Sequence, residues 1–184
     1  MIKSFLQDNK SLIDRLSGFC TSSQSDDVVI NTVSEILRDI RDGGDDALLK
    51  RTLLYDKVKL GSNQIKVSQK ELEVAKSQLK SIENDSILEA IENVSSFHER
   101  TLPENWITSN NHGAKVGEKY YPINRVGIYV PGGNVPLIST VVMTVTIAKV
   151  AKVKQIVVVT PPDSEGKIAP QMLAALEILG VNEI

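Results

Sequence analysis

The residues best suited to chemistry lie in the segment 129–134, which has the sequence Tyr-Val-Pro-Gly-Gly-Asn. It overlaps the end of a short apolar run, 126–130, that is typical of a buried parallel strand. Open α/β sheets bind ligands at the carboxyl ends of such strands. Glycines let a ligand approach the backbone, and free amides at the start of the next helix can hold a phosphate. The segment is therefore a candidate nucleotide-binding turn.

A purely structural role explains the same glycines, because every strand–turn–helix unit needs a tight turn. The full glycine fingerprint of a dinucleotide site is missing from the sequence. If Tyr129 ends the strand, its ring either contacts a ligand or covers the end of the sheet, and spacing leaves both open. Ser139 and Thr140 fit helix capping better than ligand contact.

The other reactive side chains form no recognisable site. His98 lies on a predicted helix without an evident acid–base partner, and His112 lies in a loop without a metal-ligand companion. Cys20 has no basic neighbour to favour its thiolate. The acidic run at 42–46 lacks the spacing of a calcium loop. We therefore assign no catalytic and no metal-binding residue in this chain.

The first part of the chain, up to about residue 110, is polar and has helical periodicity. Apolar residues spaced by three and four predict a helix that ends at the glycine pair 43–44, followed by a second helix. A capping box at 68–71 predicts the start of another helix, with apolar residues on one face up to residue 82. A further helix is predicted at 85–100, and loose alternation at 112–121 indicates a hairpin.

The second part alternates between apolar runs and helical patterns. Strands at 126–130 and 156–159, with helices at 137–150 and 168–179, predict a parallel sheet whose strands are buried on both faces. Residues 181–184 repeat the pattern that leads into the second strand, so we expect a third strand to begin at the end of the chain.

The predicted fold class is α/β, an N-terminal helical segment followed by the start of a Rossmann-like parallel sheet that is incomplete. We divide the chain into an N-terminal arm at 1–24, a helix-rich first domain at 25–122 and a truncated Rossmann-like nucleotide-binding domain at 123–184. A natural domain rarely stops at the first residue of a strand, because the sheet then keeps an unpaired edge. We therefore expect this chain to be cut off inside its sheet.

Composition narrows the class of protein. The 184 residues carry a net charge of -2 and are 41% hydrophobic, and the basic residues are scattered. This disfavours a nucleic-acid partner, and no segment is apolar enough for a membrane span or a secretory signal. We expect a soluble cytoplasmic protein.

Several segments carry a resemblance to a known family. The sequence Arg-Val-Gly-Ile-Tyr-Val-Pro-Gly-Gly at 125–133 resembles the histidinol dehydrogenase family, which shares an aldehyde dehydrogenase/histidinol dehydrogenase-like fold. Supporting similarity runs through 33–48, 97–103, 148–153 and 156–162. The segment around Tyr129 is the specific part of the likeness.

The resemblance implies an NAD-dependent enzyme that oxidises L-histidinol to L-histidine through histidinal, the last steps of histidine biosynthesis. It also implies a bound zinc ion and a homodimer. Tyr129 matches the position that contacts NAD, with Pro131 and Gly132 beside it. The family's Glu-His acid–base pair and its zinc ligands lie in later sequence, so we expect the 184-residue chain alone to be inactive.

Two other functions remain open from the sequence. One is a related NAD-dependent alcohol dehydrogenase that acts on another small substrate. The other is a non-catalytic module that binds a nucleotide or a partner subunit.

Overall fold

A computed structural model describes residues 17–18, 27–132 and 136–184 of the chain. The chain divides into two compact units, Met1–Leu48 and Leu49–Ile184. Almost all of the predicted N-terminal arm at 1–24, including Cys20, lies outside the described residues. The predicted domain boundaries after residues 24 and 122 stay predictions.

The described helices and strands follow the order expected of an α/β chain. They are α1 Asp27–Tyr55, a short 3-10 helix Ser62–Gln64, α2 Gln69–Ser77, α3 Ser81–Glu99, β1 Trp106–Ser109, β2 Lys115–Glu118, β3 Arg125–Tyr129, α4 Ile138–Val150, β4 Gln155–Val159 and α5 Pro170–Ile178.

Helix α1 contains the predicted break at the glycine pair. Gly44 leaves helical geometry with φ 54° and ψ -136°, a conformation that costs glycine little. Three residues of the predicted apolar stripe, Val29, Val33 and Leu37, are exposed. The helix that the apolar periodicity predicts and the break that the glycine pair predicts are both present.

The capping box that starts α2 has the expected geometry. The amide of Ser68 donates to Glu71 Oε2 at 2.8 Å, and the amide of Glu71 donates to Ser68 Oγ at 3.3 Å. Hydrogen bonds from the Ser68 side chain and backbone hold the pKa of the Glu71 carboxyl below its ordinary value. Helix α2 ends at Ser77, however, so the predicted continuation to residue 82 is wrong.

Helix α3 begins earlier than the sequence suggested, at Ser81, and its buried residue is Ile87. The expected hairpin is present, but only its second strand falls within 112–121. The first strand begins at Trp106, which pairs with Glu118 in antiparallel register.

The second half of the chain forms the predicted parallel sheet. Strands β3 and β4 are parallel neighbours, and their register runs from Arg125 opposite Gln155 to Tyr129 opposite Val159. A parallel bridge joins Val157 to Glu183, and the amide of Val158 donates to the carbonyl of Glu183 at 2.9 Å. The third strand expected at the end of the chain therefore begins beside β4.

One face of this sheet carries the core. Ile128 and Val158 are buried in a single cluster with Val141 of α4 and Leu176 of α5. Crossovers between parallel strands are almost always right-handed, and two consecutive right-handed crossovers between neighbouring strands put both helices on the same face. The prediction of burial on both faces is therefore wrong for this chain, since Tyr129 and Val159 on the other face are more than half exposed.

None of the described helices is long and apolar enough to cross a membrane.

The capping box predicts a specific dependence of stability on pH. Ser68→Ala should lower the free energy of unfolding by about 1 kcal/mol at neutral pH, because the Glu71 amide loses its acceptor and the Glu71 carboxylate loses the hydroxyl that donates to it. Since the pKa of Glu71 is lowered in the folded state, its contribution is present above the ordinary carboxyl pKa of 4.5 and is lost as the pH falls below it.

Urea unfolding at neutral pH and at a pH below the ordinary carboxyl range measures this difference. Ser77→Ala, in the last turn of the same helix, is the control and should change stability by less than about 0.5 kcal/mol. An effect of Ser68→Ala that is equally large at both pH values would contradict the role of Glu71.

Candidate functional site

The three residues predicted to contact a cofactor lie together at the carboxyl end of the parallel sheet. Tyr129 is the last residue of β3, and its side chain is 64% exposed on the open face. The amide of Val130 donates to the carbonyl of Val159 at 2.9 Å, so the parallel pairing extends one residue further. Pro131 is exposed and Gly132 is partly exposed. The following residues, 133–135, lie outside the described part.

Gly132 lies against the residues that follow β4. A Cβ atom at this position would lie 2.6 Å from the carbonyl oxygen of Pro161 and 2.7 Å from Thr160 Oγ1. Real Cβ atoms do not approach backbone oxygens this closely, so no residue larger than glycine fits without displacing a strand end. The glycine that the sequence analysis singled out thus has a packing role, and this role is compatible with ligand contact.

The turn after β4 is fixed by its own hydrogen bonds. Asp163 Oδ1 accepts the amides of Glu165 and Lys167, both at 2.9 Å. Lys167 forms an exposed ion pair with Glu165 at 3.0 Å, and its hydrogen bond to that carboxylate raises the pKa of Lys167 above its ordinary value. A small cavity of about 40 Å³ lies between the two turns, and Gly132, Thr160 and Asp163 contribute to its wall.

The hydroxyl of Thr160 is buried and has no hydrogen-bond partner among the described residues. Leaving a buried hydroxyl unsatisfied costs about 1–3 kcal/mol, so such groups are rare in folded proteins. We did not predict a role for this residue from the sequence. The available signal was the Thr-Pro-Pro segment at 160–162, which directly follows the second strand.

Neither Ser139 nor Thr140 forms the expected N-terminal cap of α4. Helix α4 begins at Ile138 with Leu137 as its N-cap residue, and no side chain caps it. Ser139 and Thr140 therefore lie inside the first turn of the helix, and the capping role predicted for them is wrong.

The histidines lie away from this site along the chain. His98 is on α3, where its ring meets that of Phe97 edge to face and its Nδ1 lies 3.3 Å from Thr101 Oγ1. The amide of His112 donates to Asn110 Oδ1 within the β1–β2 turn. Within the described residues, no group of three or more His, Cys, Asp or Glu side chains is arranged to hold a metal ion.

A larger depression lies elsewhere, between α3 and α4. Its volume is about 550 Å³, and Ile82, Val94, Val142 and Met143 contribute to its mostly apolar wall. It has few polar groups to orient a ligand, whereas binding sites combine apolar walls with placed polar groups. The end of the parallel sheet is therefore the better candidate site.

Comparison of the sequence with models of known protein families shows which family the chain belongs to. The family model described as histidinol dehydrogenase matches residues 20–184 of the chain. This chain belongs to the histidinol dehydrogenase family. The family resemblance expected from the sequence is thereby confirmed.

Individual relatives agree with this assignment. A histidinol dehydrogenase from Gloeobacter violaceus is 38% identical over 153 residues, which cover 83% of this chain and 34% of the relative. One from Synechococcus sp. is 34% identical over 185 residues, covering 100% of this chain and 42% of the relative. The chain thus spans between a third and about two fifths of the length of these two histidinol dehydrogenases.

A solved structure shares the fold. The crystal structure of histidinol dehydrogenase from Elizabethkingia anophelis matches with a TM-score of 0.81 and 32% sequence identity, covering 88% of this chain and 37% of that chain. The predicted α/β fold class is therefore confirmed.

The packing of Gly132 leads to a direct prediction. Gly132→Ala should lower the free energy of unfolding by about 1–3 kcal/mol, because the new methyl group overlaps the backbone of Pro161 and the hydroxyl of Thr160. Gly127→Ala, earlier in the same strand, is the matched control, since a Cβ there meets no atom within 4 Å. Chemical denaturation measures both variants, and equal effects would mean that the strand ends are not in close contact.

Proposed function

We propose that this chain supplies the cofactor-binding turn of a zinc- and NAD-dependent histidinol dehydrogenase. The complete enzyme would oxidise L-histidinol to L-histidine through histidinal, at the end of histidine biosynthesis. The observation that carries this proposal is the exposed Tyr129 beside Gly132 at the carboxyl end of a parallel strand, in a chain of this family. Bound NAD would accept the hydride.

The residues at the end of the strand suit the binding of a dinucleotide. The exposed ring of Tyr129 offers a surface for stacking and a hydroxyl for hydrogen bonding. Pro131 is exposed beside it, and Gly132 keeps this turn close to the end of β4, so that both strand ends border one site. In this proposal the three residues bind and orient the cofactor and transfer no proton.

Zinc does not fit the described residues, because they contain no cluster of suitable ligands. We therefore propose that the zinc ligands and the acid–base residues belong to a part of the enzyme that this chain does not contain. By family likeness, the complete enzyme would be a cytoplasmic homodimer.

The binding step is tested on the 184-residue chain by calorimetric titration with NAD. Tyr129→Ala should weaken binding by about tenfold, since loss of an aromatic stacking surface costs about 1–3 kcal/mol per base. Tyr121→Ala is the control, because this tyrosine is 72% exposed and lies before the strand. Equal affinity of the Tyr129 variant and the wild type would remove Tyr129 from the proposed site.

Activity provides a separate test. A mixture of the chain, L-histidinol and NAD should produce no NADH, because no described group is arranged to hold zinc and take the substrate proton. Absorbance of NADH measures turnover. Histidinol-dependent NADH from the purified chain would contradict the assignment of catalysis to residues outside it. Binding of NAD without turnover by a complete family-length protein would favour the non-catalytic alternative.

A further inference from the structure

We propose that the buried hydroxyl of Thr160 donates a hydrogen bond to one oxygen of the bound dinucleotide. This inference rests on the proposed NAD site and adds a residue on the neighbouring strand to it. Thr160 directly follows β4, whereas Tyr129, Pro131 and Gly132 belong to the end of β3 and the turn after it.

The first observation is the state of the hydroxyl itself. Thr160 Oγ1 is buried without a hydrogen-bond partner in the part of the chain that the structure describes. Buried polar groups are nearly always paired, and an unpaired one calls for an explanation, such as a ligand that completes the pairing. Valine has almost the same shape and would fill this position without the penalty.

The second observation is the place of the hydroxyl in the fold. It lies next to Gly132, at the side of the sheet where parallel strands bind ligands. Thr160 and Gly132 also border the same small cavity. The buried hydroxyl and the proposed cofactor turn are therefore in direct contact, although they are 28 residues apart in the sequence.

Gly132 and Thr160 both border the small cavity, so a ligand oxygen enters this cavity to reach the hydroxyl. The cavity, at about 40 Å³, has room for a single polar group rather than for a ring. The acceptor is therefore one phosphate or ribose oxygen.

A second buried threonine provides a control. Thr146 Oγ1 is also buried without a partner among the described residues, but Thr146 lies inside α4 and borders neither the cavity nor Gly132. Replacing either threonine with valine should remove an unsatisfied hydroxyl and stabilise the free protein. Only the change at Thr160 should also weaken NAD binding.

The experiment compares Thr160→Val, Thr160→Ser and Thr146→Val with the wild-type chain. Both valine variants should raise the melting temperature by about 2–4 °C without ligand. Thr160→Val should raise the Kd for NAD by about 3- to 10-fold, the size expected for one lost hydrogen bond. Thr160→Ser keeps the hydroxyl and should bind NAD as the wild type does, and Thr146→Val should leave the affinity unchanged.

Titrations with ADP and adenosine identify the acceptor. A loss of affinity that affects ADP but spares adenosine indicates a phosphate oxygen, and a loss that affects both indicates a ribose oxygen. Wild-type binding of NAD that Thr160→Val leaves unchanged would overturn this inference alone. A lower melting temperature for Thr160→Val would also overturn it, because the hydroxyl would then have a partner in the free protein. Absence of NAD binding by the wild-type chain would overturn the proposed function as well.

Discussion

The close contact between the ends of two neighbouring parallel strands is the constraint on which the candidate site depends. At Gly132 the chain leaving β3 passes the backbone of Pro161 with no space for a Cβ atom. This contact places Tyr129, on one strand, and Thr160, after the other, at the same edge of the sheet. A larger residue at position 132 would separate the two turns and with them the groups proposed to bind one ligand.

The connectivity of the sheet explains why Tyr129 is accessible on its open face. Helices α4 and α5 pack on one face and bury Ile128 and Val158, while Tyr129 faces away from them. A residue that packed into the core would have no access to a ligand. Because side chains alternate along β3, the buried Ile128 and the proposed binding residue Tyr129 are neighbours in sequence but lie on opposite faces of the sheet.

Much of this arrangement could be predicted because it depends on local patterns. The capping residue Ser68, the break at Gly44 and the alternation of strands and helices after residue 120 are properties of short segments. Contacts between distant segments could not be predicted in the same way. The approach of Thr160 to Gly132 follows from strand register, and the exposure of Val159 depends on which face the helices cover.

The proposed function requires a dinucleotide to bind where β3 and β4 end. The most direct measurement is a map of backbone amide chemical shifts in the 184-residue chain during titration with NAD. We expect the largest changes at Tyr129, Gly132 and Thr160, with little change in the β1–β2 hairpin or α3. Changes centred on the apolar depression between α3 and α4, or no saturable change at all, would contradict it.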